Sequence, residues 1–196
     1  MNRDKSYIVG IAGGSASGKT TFVAELLKVL AQHEQIKVEV VGMDKYFYRG
    51  LNGGPSFTSP STGETLPDNN APGSADNARL VADLDLKSTA EEAPDVIIVE
   101  GLMTLHIEEI RKRCDLRIFI ELDADLRALR RMLRDMNGGR GNTDPIFIST
   151  YYRECARVGH ANYVEPSRVH ADLILRGDSD FSRTAAIVAR TIWNHT

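Results

Sequence analysis

The stretch Gly13-Gly14-Ser15-Ala16-Ser17-Gly18-Lys19-Thr20 constrains this chain most, because all eight positions satisfy the pattern GxxxxGK[ST]. An apolar run ends at Ala12 immediately before it, and an apolar helical pattern begins after Gly18. Between a strand and a helix, such a loop can wrap its backbone N–H groups around an anion. The helix N-terminus adds a partial positive charge. Phosphate is the anion that this geometry fits. Gly13, Gly14, Ser15, Ala16, Ser17 and Gly18, with Thr21 just beyond, are therefore expected to bind a nucleotide's phosphates. Lys19 is expected to bridge β- and γ-phosphates, and the Thr20 hydroxyl to hold Mg²⁺. A glycine turn without chemistry is the competing reading, and it explains neither the complete pattern nor its setting.

The rest of the chain supplies the sheet that such a loop needs. Residues 7–12, 38–42, 95–99, 116–121 and 172–175 read as buried strands, rich in β-branched side chains. Helical patterns fall at 20–32, 75–84, 104–113, 124–136, 146–158 and 181–193. Apolar strands alternating with helices predict a parallel sheet covered on both faces. At 196 residues the chain fits one domain with an ample core. Residues 50–74 break the pattern, holding four of seven prolines and five of sixteen glycines. A linker has this composition, and so does a loop or irregular hairpin that covers a substrate. Its position between two halves of one sheet favours the second.

Composition removes several function classes. With 24 Lys+Arg against 27 Asp+Glu, the net charge of −3 lacks the basic excess of a nucleic-acid binder. No apolar run approaches the roughly 20 residues needed to span a bilayer. The N-terminus reaches glycine too early for a secretory signal. Cys114 and Cys155 form no metal-like or redox pair. These features predict a cytoplasmic protein with reduced thiols and with neither nucleic-acid nor membrane partners; homo-oligomerisation stays open.

Two carboxylates fall where a parallel sheet presents its C-terminal edge. Glu100 ends Val96-Ile97-Ile98-Val99 and precedes Gly101, the form of a Walker B strand. A carboxylate there can bind Mg²⁺ directly or through water, although a solvated strand-end acid reads the same. Asp44 follows Val40-Val41-Gly42-Met43, at the end of the next strand after the phosphate loop. That suits a base beside the γ-phosphate, and it equally suits a turn or N-cap aspartate. Lys45, Tyr46, Tyr48 and Arg49 add groups suited to a small polar substrate.

Residues 124–136 carry Arg127, Arg130, Arg131 and Arg134, and 127, 131 and 134 share one helical face. Gly138-Gly139-Arg140-Gly141 follows. Between 127 and 157, seven arginines face three acids, a local charge of +4. Arg127 and Arg130 fit a solvated face as well as a site. Arg134 and Arg140 are expected on a closing lid over about 127–157, where guanidinium groups stabilise the transferring phosphoryl and closure excludes water. His160 and Tyr163, just after the lid helix, are candidates to line the acceptor pocket.

Taken in order, these elements resemble the uridine kinase and phosphoribulokinase family of P-loop kinases. The resemblance rests on Gly13 to Thr20, Asp44 with Tyr46-Phe47-Tyr48-Arg49, Val99-Glu100-Gly101, Leu122-Asp123-Ala124-Asp125, Arg130-Arg131-Met132-Leu133-Arg134-Asp135 with Arg140-Gly141, and Val164-Glu165-Pro166-Ser167 through Ala171-Asp172-Leu173-Ile174. It implies ATP and Mg²⁺ as cofactors, Asp44 as the base for the substrate hydroxyl, Glu100 assisting the metal, and Arg131, Arg134 and Arg140 acting on phosphates. One segment departs. Uridine–cytidine kinases hold the pyrimidine with a hairpin of the form N-F-D-H-P-D-A-F-D. Here Asn69-Asn70-Ala71-Pro72-Gly73-Ser74-Ala75-Asp76 lacks the histidine and both phenylalanines, leaving Asp76 as the remnant.

The combined expectation is an α/β protein with a three-layer P-loop NTPase fold, a parallel sheet and a small arginine-bearing lid. Its partners are ATP and a small hydroxylated metabolite, with γ-phosphoryl transfer to the 5′-hydroxyl of uridine or cytidine as the leading reading. A sugar phosphate, a glycerate, pantothenate or nicotinamide riboside are alternative acceptors. A nucleotide-hydrolysing switch is the alternative of another class. Asp44 and the arginine lid argue against it, because both need an acceptor to make sense.

Overall fold

The computed structural model describes residues 5–33, 36–139 and 141–195. Strands β1 (Tyr7–Gly13), β2 (Val38–Gly42), β5 (Val96–Glu100), β6 (Leu116–Glu121) and β7 (Leu173–Arg176) form one sheet in the order β2-β5-β1-β6-β7. All four pairings are parallel. β1 is buried along its whole length, which requires apolar side chains on both faces. Val9 and Ile11 face one layer, with Phe22, Leu26 and Leu30 of α1 (Lys19–Leu30) and Phe181, Val188 and Ile192 of α7 (Phe181–Trp193). Ile8 and Ala12 face the other, with Leu80 and Leu84 of α2 (Asn77–Ser88) and Ile110 of α3 (Glu108–Arg111). Each such side chain, fully buried, contributes about 1.5–3 kcal/mol. These two layers over a parallel sheet are the expected three-layer architecture.

Register brings the site together. Glu100 pairs with Ile11 of β1 and with Gly42 of β2, and Gly13 pairs with Ile120. The C-terminal ends of β1, β2 and β5 are therefore level. β1 lies between β5 and β6, neither of them next to it in sequence, so the connections part at its end and leave a crevice.

Two elements differ from expectation. The helix expected over 104–113 shrinks to α3, because 101–107 forms turns packed through Met103 and Leu105 into the core. The helix expected over 146–158 starts as α5 (Pro145–Tyr151), with Asp144 capping the Ile146 and Phe147 N–H groups. It then runs on to Val164 through a π-turn at Tyr152–Ala156, α6 (Arg157–Gly159) and a second π-turn at His160–Val164. The proline-rich segment contains a hairpin of β3 (Ser56–Thr58) and β4 (Thr65–Pro67). Ser59 Oγ donates to Glu154 Oε2 at 2.6 Å and Ser61 Oγ donates to Glu154 Oε1. These hydroxyls hold the Glu154 carboxyl down at about 2. Tyr151 OH donates to Pro67 O at 2.8 Å and accepts from Asn69 N–H at 3.2 Å. The hairpin is thus fastened to the helix after α4 (Ala124–Met136). Among the described residues no helix is long and apolar enough to cross a membrane.

Candidate active site

The phosphate loop leaves β1 and enters α1 through Gly18, whose φ of 104° at the N-cap is a left-handed conformation that favours glycine. Ala16 adopts φ 62° without that freedom, the kind of local strain found at ligand sites. Lys19 Nζ donates to Gly13 O at 2.9 Å and Gly14 O at 3.0 Å, folding its cation back over the loop. Thr20 Oγ1 donates to Glu100 Oε2 at 3.2 Å, so Glu100 faces the loop instead of ending its strand in bulk solvent. Asp44 lies within a 3-10 turn, Met43–Tyr46, whose N-cap is Gly42. The exposed Asp44 carboxylate shares one cleft of about 560 Å³ with Ser15, Lys19, Thr20, Thr21 and Glu100.

The cleft is also lined by Gly177, Asp178, Ser179 and Phe181 with Arg130 and Arg134. Sequence reasoning missed Gly177, Asp178, Ser179 and Phe181, whereas Arg134 was expected at the site. The Gly177 N–H donates to Glu121 O at 2.7 Å, and Gly177 O accepts from Arg130 Nη1 at 2.9 Å. A Cβ on Gly177 would collide with Ser17 O of the phosphate loop. Arg176, paired with Asp123 at 3.2 Å and Asp178 at 3.0 Å, fixes the loop's approach. Gly177→Ala should therefore push two loops apart, lowering Tm by roughly 3–10 °C and weakening ATP binding by about tenfold. Thermal melting and calorimetric titration check both effects.

A second cavity of about 290 Å³ adjoins the cleft and shares Ser15, Leu102 and Arg134 with it. Phe47, Leu66, Pro67, Phe147, Ile148 and Tyr151 give it apolar walls, and Asn69, Asn70, Asn142, Arg131 and Asp135 give it polar ones. Buried Asp135 positions the arginines: Arg134 Nε donates to its Oδ1 at 2.8 Å, and Arg131 Nε lies 3.3 Å from Oδ2. The aromatic rings absent from 69–76 arrive from elsewhere, with Phe147 stacked on Tyr151 at 6.1 Å between centroids. Phe47 follows the 43–46 turn, whereas Phe147 and Tyr151 sit one helical turn apart on α5, and only spatial contact brings these two stretches together.

Several expected site residues lie elsewhere. Tyr46 OH donates to Asp83 at 2.8 Å, and Tyr46 packs beneath Arg79, so burial and that carboxylate push its phenol up to about 12. Tyr48 packs on Gly53 and Gly54, and Arg49 is exposed; neither lines the cleft or the second cavity. Asp76 caps α2 by accepting from Arg79 N–H. His160 lies against Gly14, not in the second cavity. Arg131 lines the second cavity and not the phosphate cleft, with its guanidinium over the Tyr151 ring. Arg127 is buried and not on a solvated face. Arg140 lies outside the described residues.

Fold and cleft together define a P-loop phosphotransferase. The model of the phosphoribulokinase / uridine kinase family matches residues 67–181. A uridine kinase of Staphylococcus epidermidis is 34% identical over 193 residues, 88% of each chain. One of Chlamydia pneumoniae is 29% identical over 210 residues, 96% of this chain and 89% of that one. The phosphoribulokinase of Rhodobacter spheroides shares the fold, with TM-score 0.64 at 13% identity over 89% of this chain and 71% of that one. The chain belongs to the phosphoribulokinase / uridine kinase family. It is an ATP-dependent small-molecule kinase acting on a hydroxyl.

Proposed function

We propose that this kinase phosphorylates the 5′-hydroxyl of a pyrimidine nucleoside, uridine or cytidine. One observation carries the reading: the second cavity shares Ser15, Leu102 and Arg134 with the phosphate cleft. An acceptor held there has its hydroxyl facing the γ-phosphate. Aromatic rings and carboxamides line it, the chemistry that binds a flat ring with polar edges. The relatives named uridine kinases, matched over most of the chain, support the same acceptor class. Sugar phosphates would leave the apolar walls unused.

In this reading Asp44 takes the hydroxyl proton while the oxygen attacks in line. Arg130 and Arg134, both lining the cleft, stabilise charge on the transferring group, and Asp135 holds Arg134 in orientation. The Thr20 hydroxyl, 3.2 Å from the Glu100 carboxylate in a cleft that also holds Asp44, is a set of hard oxygen donors, which suits Mg²⁺. Mg²⁺ held there would supply positive charge against the phosphate oxygens. Thr20 and Glu100 are the residues that would hold it.

ADP release across uridine, cytidine, 5′-deoxyuridine, a ribulose phosphate, glycerate, pantothenate and nicotinamide riboside tests the reading. Uridine or cytidine should give the highest kcat/KM, with 5′-deoxyuridine inactive. A preferred sugar phosphate or pantothenate overturns the acceptor. Strong ADP release without any acceptor overturns the transferase in favour of a hydrolysing switch.

A further inference from the structure

Arg127 and His160 have no part in the chemistry above, yet both are packed against the phosphate loop. Arg127 is 5% exposed. Its Nε donates to Leu122 O at 2.9 Å, which pins the guanidinium to the turn between β6 and α4. A Cβ on Gly14 would lie 2.8 Å from Arg127 Nη1 and 3.0 Å from His160 Nδ1, so both side chains rest on the loop's backbone. Lys19 donates to the carbonyl of that same glycine.

Among the described residues the charge on Arg127 has no counter-ion in hydrogen-bonding contact. The two acids near enough to act on it are engaged elsewhere. Glu165 meets His160 Nε2 at 3.3 Å and Arg168 at 3.6 Å, and Asp123 meets Arg176 at 3.2 Å. Burial accordingly pulls the Arg127 guanidinium below its ordinary value. His160 is pushed down to about 4, first by burial and then by Arg127 and Lys19, so it is neutral at physiological pH. Its Nδ1 is buried without a hydrogen-bond partner. A second cation beside Arg127 is thereby avoided.

A buried cation without a counter-ion costs stability, and selection for stability alone would favour an apolar residue of similar volume. The missing negative charge matches what the adjoining loop is shaped to hold. We propose that Arg127 is a positioning residue of the phosphate loop: a fixed charge behind Gly14 whose burial is offset when a polyphosphate occupies the cradle. Neutral His160 fills the space beside it and keeps water from the guanidinium. Arg127 acts through the loop backbone and does not touch the reacting atoms. It therefore governs nucleotide affinity and leaves the chemical step alone.

The inference rests on 13–20 being the nucleotide site, and the test separates the two. Wild type, Arg127→Met and Arg127→Lys are titrated with inorganic tripolyphosphate and, separately, with adenosine, and melted without ligand. Arg127→Met should bind tripolyphosphate about tenfold more weakly, the effect of one charge acting across one residue. Adenosine binding and the ligand-free Tm should stay nearly unchanged. KM for ATP should rise with kcat preserved, and Arg127→Lys, which keeps the charge, should recover most of the loss. Lowered Tm with unchanged tripolyphosphate affinity in Arg127→Met overturns the proposal, because Arg127 is then a packing residue. So does an Arg127→Lys protein that binds tripolyphosphate no better than Arg127→Met. A wild-type protein that binds no tripolyphosphate overturns the nucleotide site itself.

Discussion

Asp44→Asn should lower kcat by about 10²–10⁴-fold while the dissociation constant for ATP stays within about twofold. The asymmetry follows from position. Asp44 is exposed in the cleft, whereas Lys19, Thr20 and the loop's own backbone make contacts that fold the phosphate loop. Asparagine keeps the volume and most hydrogen bonds but cannot accept the proton leaving the acceptor hydroxyl. Because asparagine keeps the side chain's volume at an exposed position, the ligand-free Tm should also stay close to wild type. Steady-state kinetics at saturating acceptor, paired with ATP titration, measure both. Normal turnover removes Asp44 from the mechanism. A loss of ATP affinity equal to the loss in kcat makes it part of the nucleotide site instead.

What could be read from the sequence is what depends on neighbours in the chain. The strand that ends at Gly13 and the helix that starts at Lys19 are each local, so the loop between them was legible at once. Glu100 and Asp44 were legible because a parallel sheet carries strand ends to a common edge, and Gly42 does pair with Glu100. Adjacency misled where a turn intervened. Tyr46 lies two residues from Asp44, but the 3-10 turn aims its hydroxyl at Asp83 on α2. Arg127, Arg131 and Arg134 share a helical face as spacing predicts, and yet they do three different things. Arg127 is buried behind Gly14, Arg131 faces Tyr151 in the second cavity, and Arg134 reaches both cavities. One face of α4 crosses the whole site, so periodicity gives the side and not the neighbour. Gly177 was invisible for a related reason. Its requirement comes from Ser17, brought into contact by the placement of β7 at the sheet edge.

Lys19→Met should be the most damaging single change to the nucleotide site. It is expected to lower kcat by about 10²–10³-fold, roughly 2.7–4 kcal/mol of transition-state stabilisation, and to weaken ATP binding as well. Two separate losses combine. The Nζ cation that faces developing phosphate charge disappears, and the two bonds that draw Gly13 O and Gly14 O inward go with it. Methionine keeps the stem's length and apolar packing, so Tm without ligand should change little. The contrast with Arg127→Met is diagnostic. Both variants remove one positive charge next to Gly14, but Lys19 lies in the cleft while Arg127 lies behind the loop. Charge that only attracts polyphosphate strengthens ground state and transition state alike and moves KM; charge that follows the γ-phosphoryl through transfer moves kcat. Single-turnover rates for the two variants at saturating ATP separate these cases. If Lys19→Met keeps its single-turnover rate and loses only affinity, Lys19 holds the nucleotide without assisting transfer. The stabilisation of the moving phosphoryl then falls to Arg130 and Arg134, the other cations on the cleft wall.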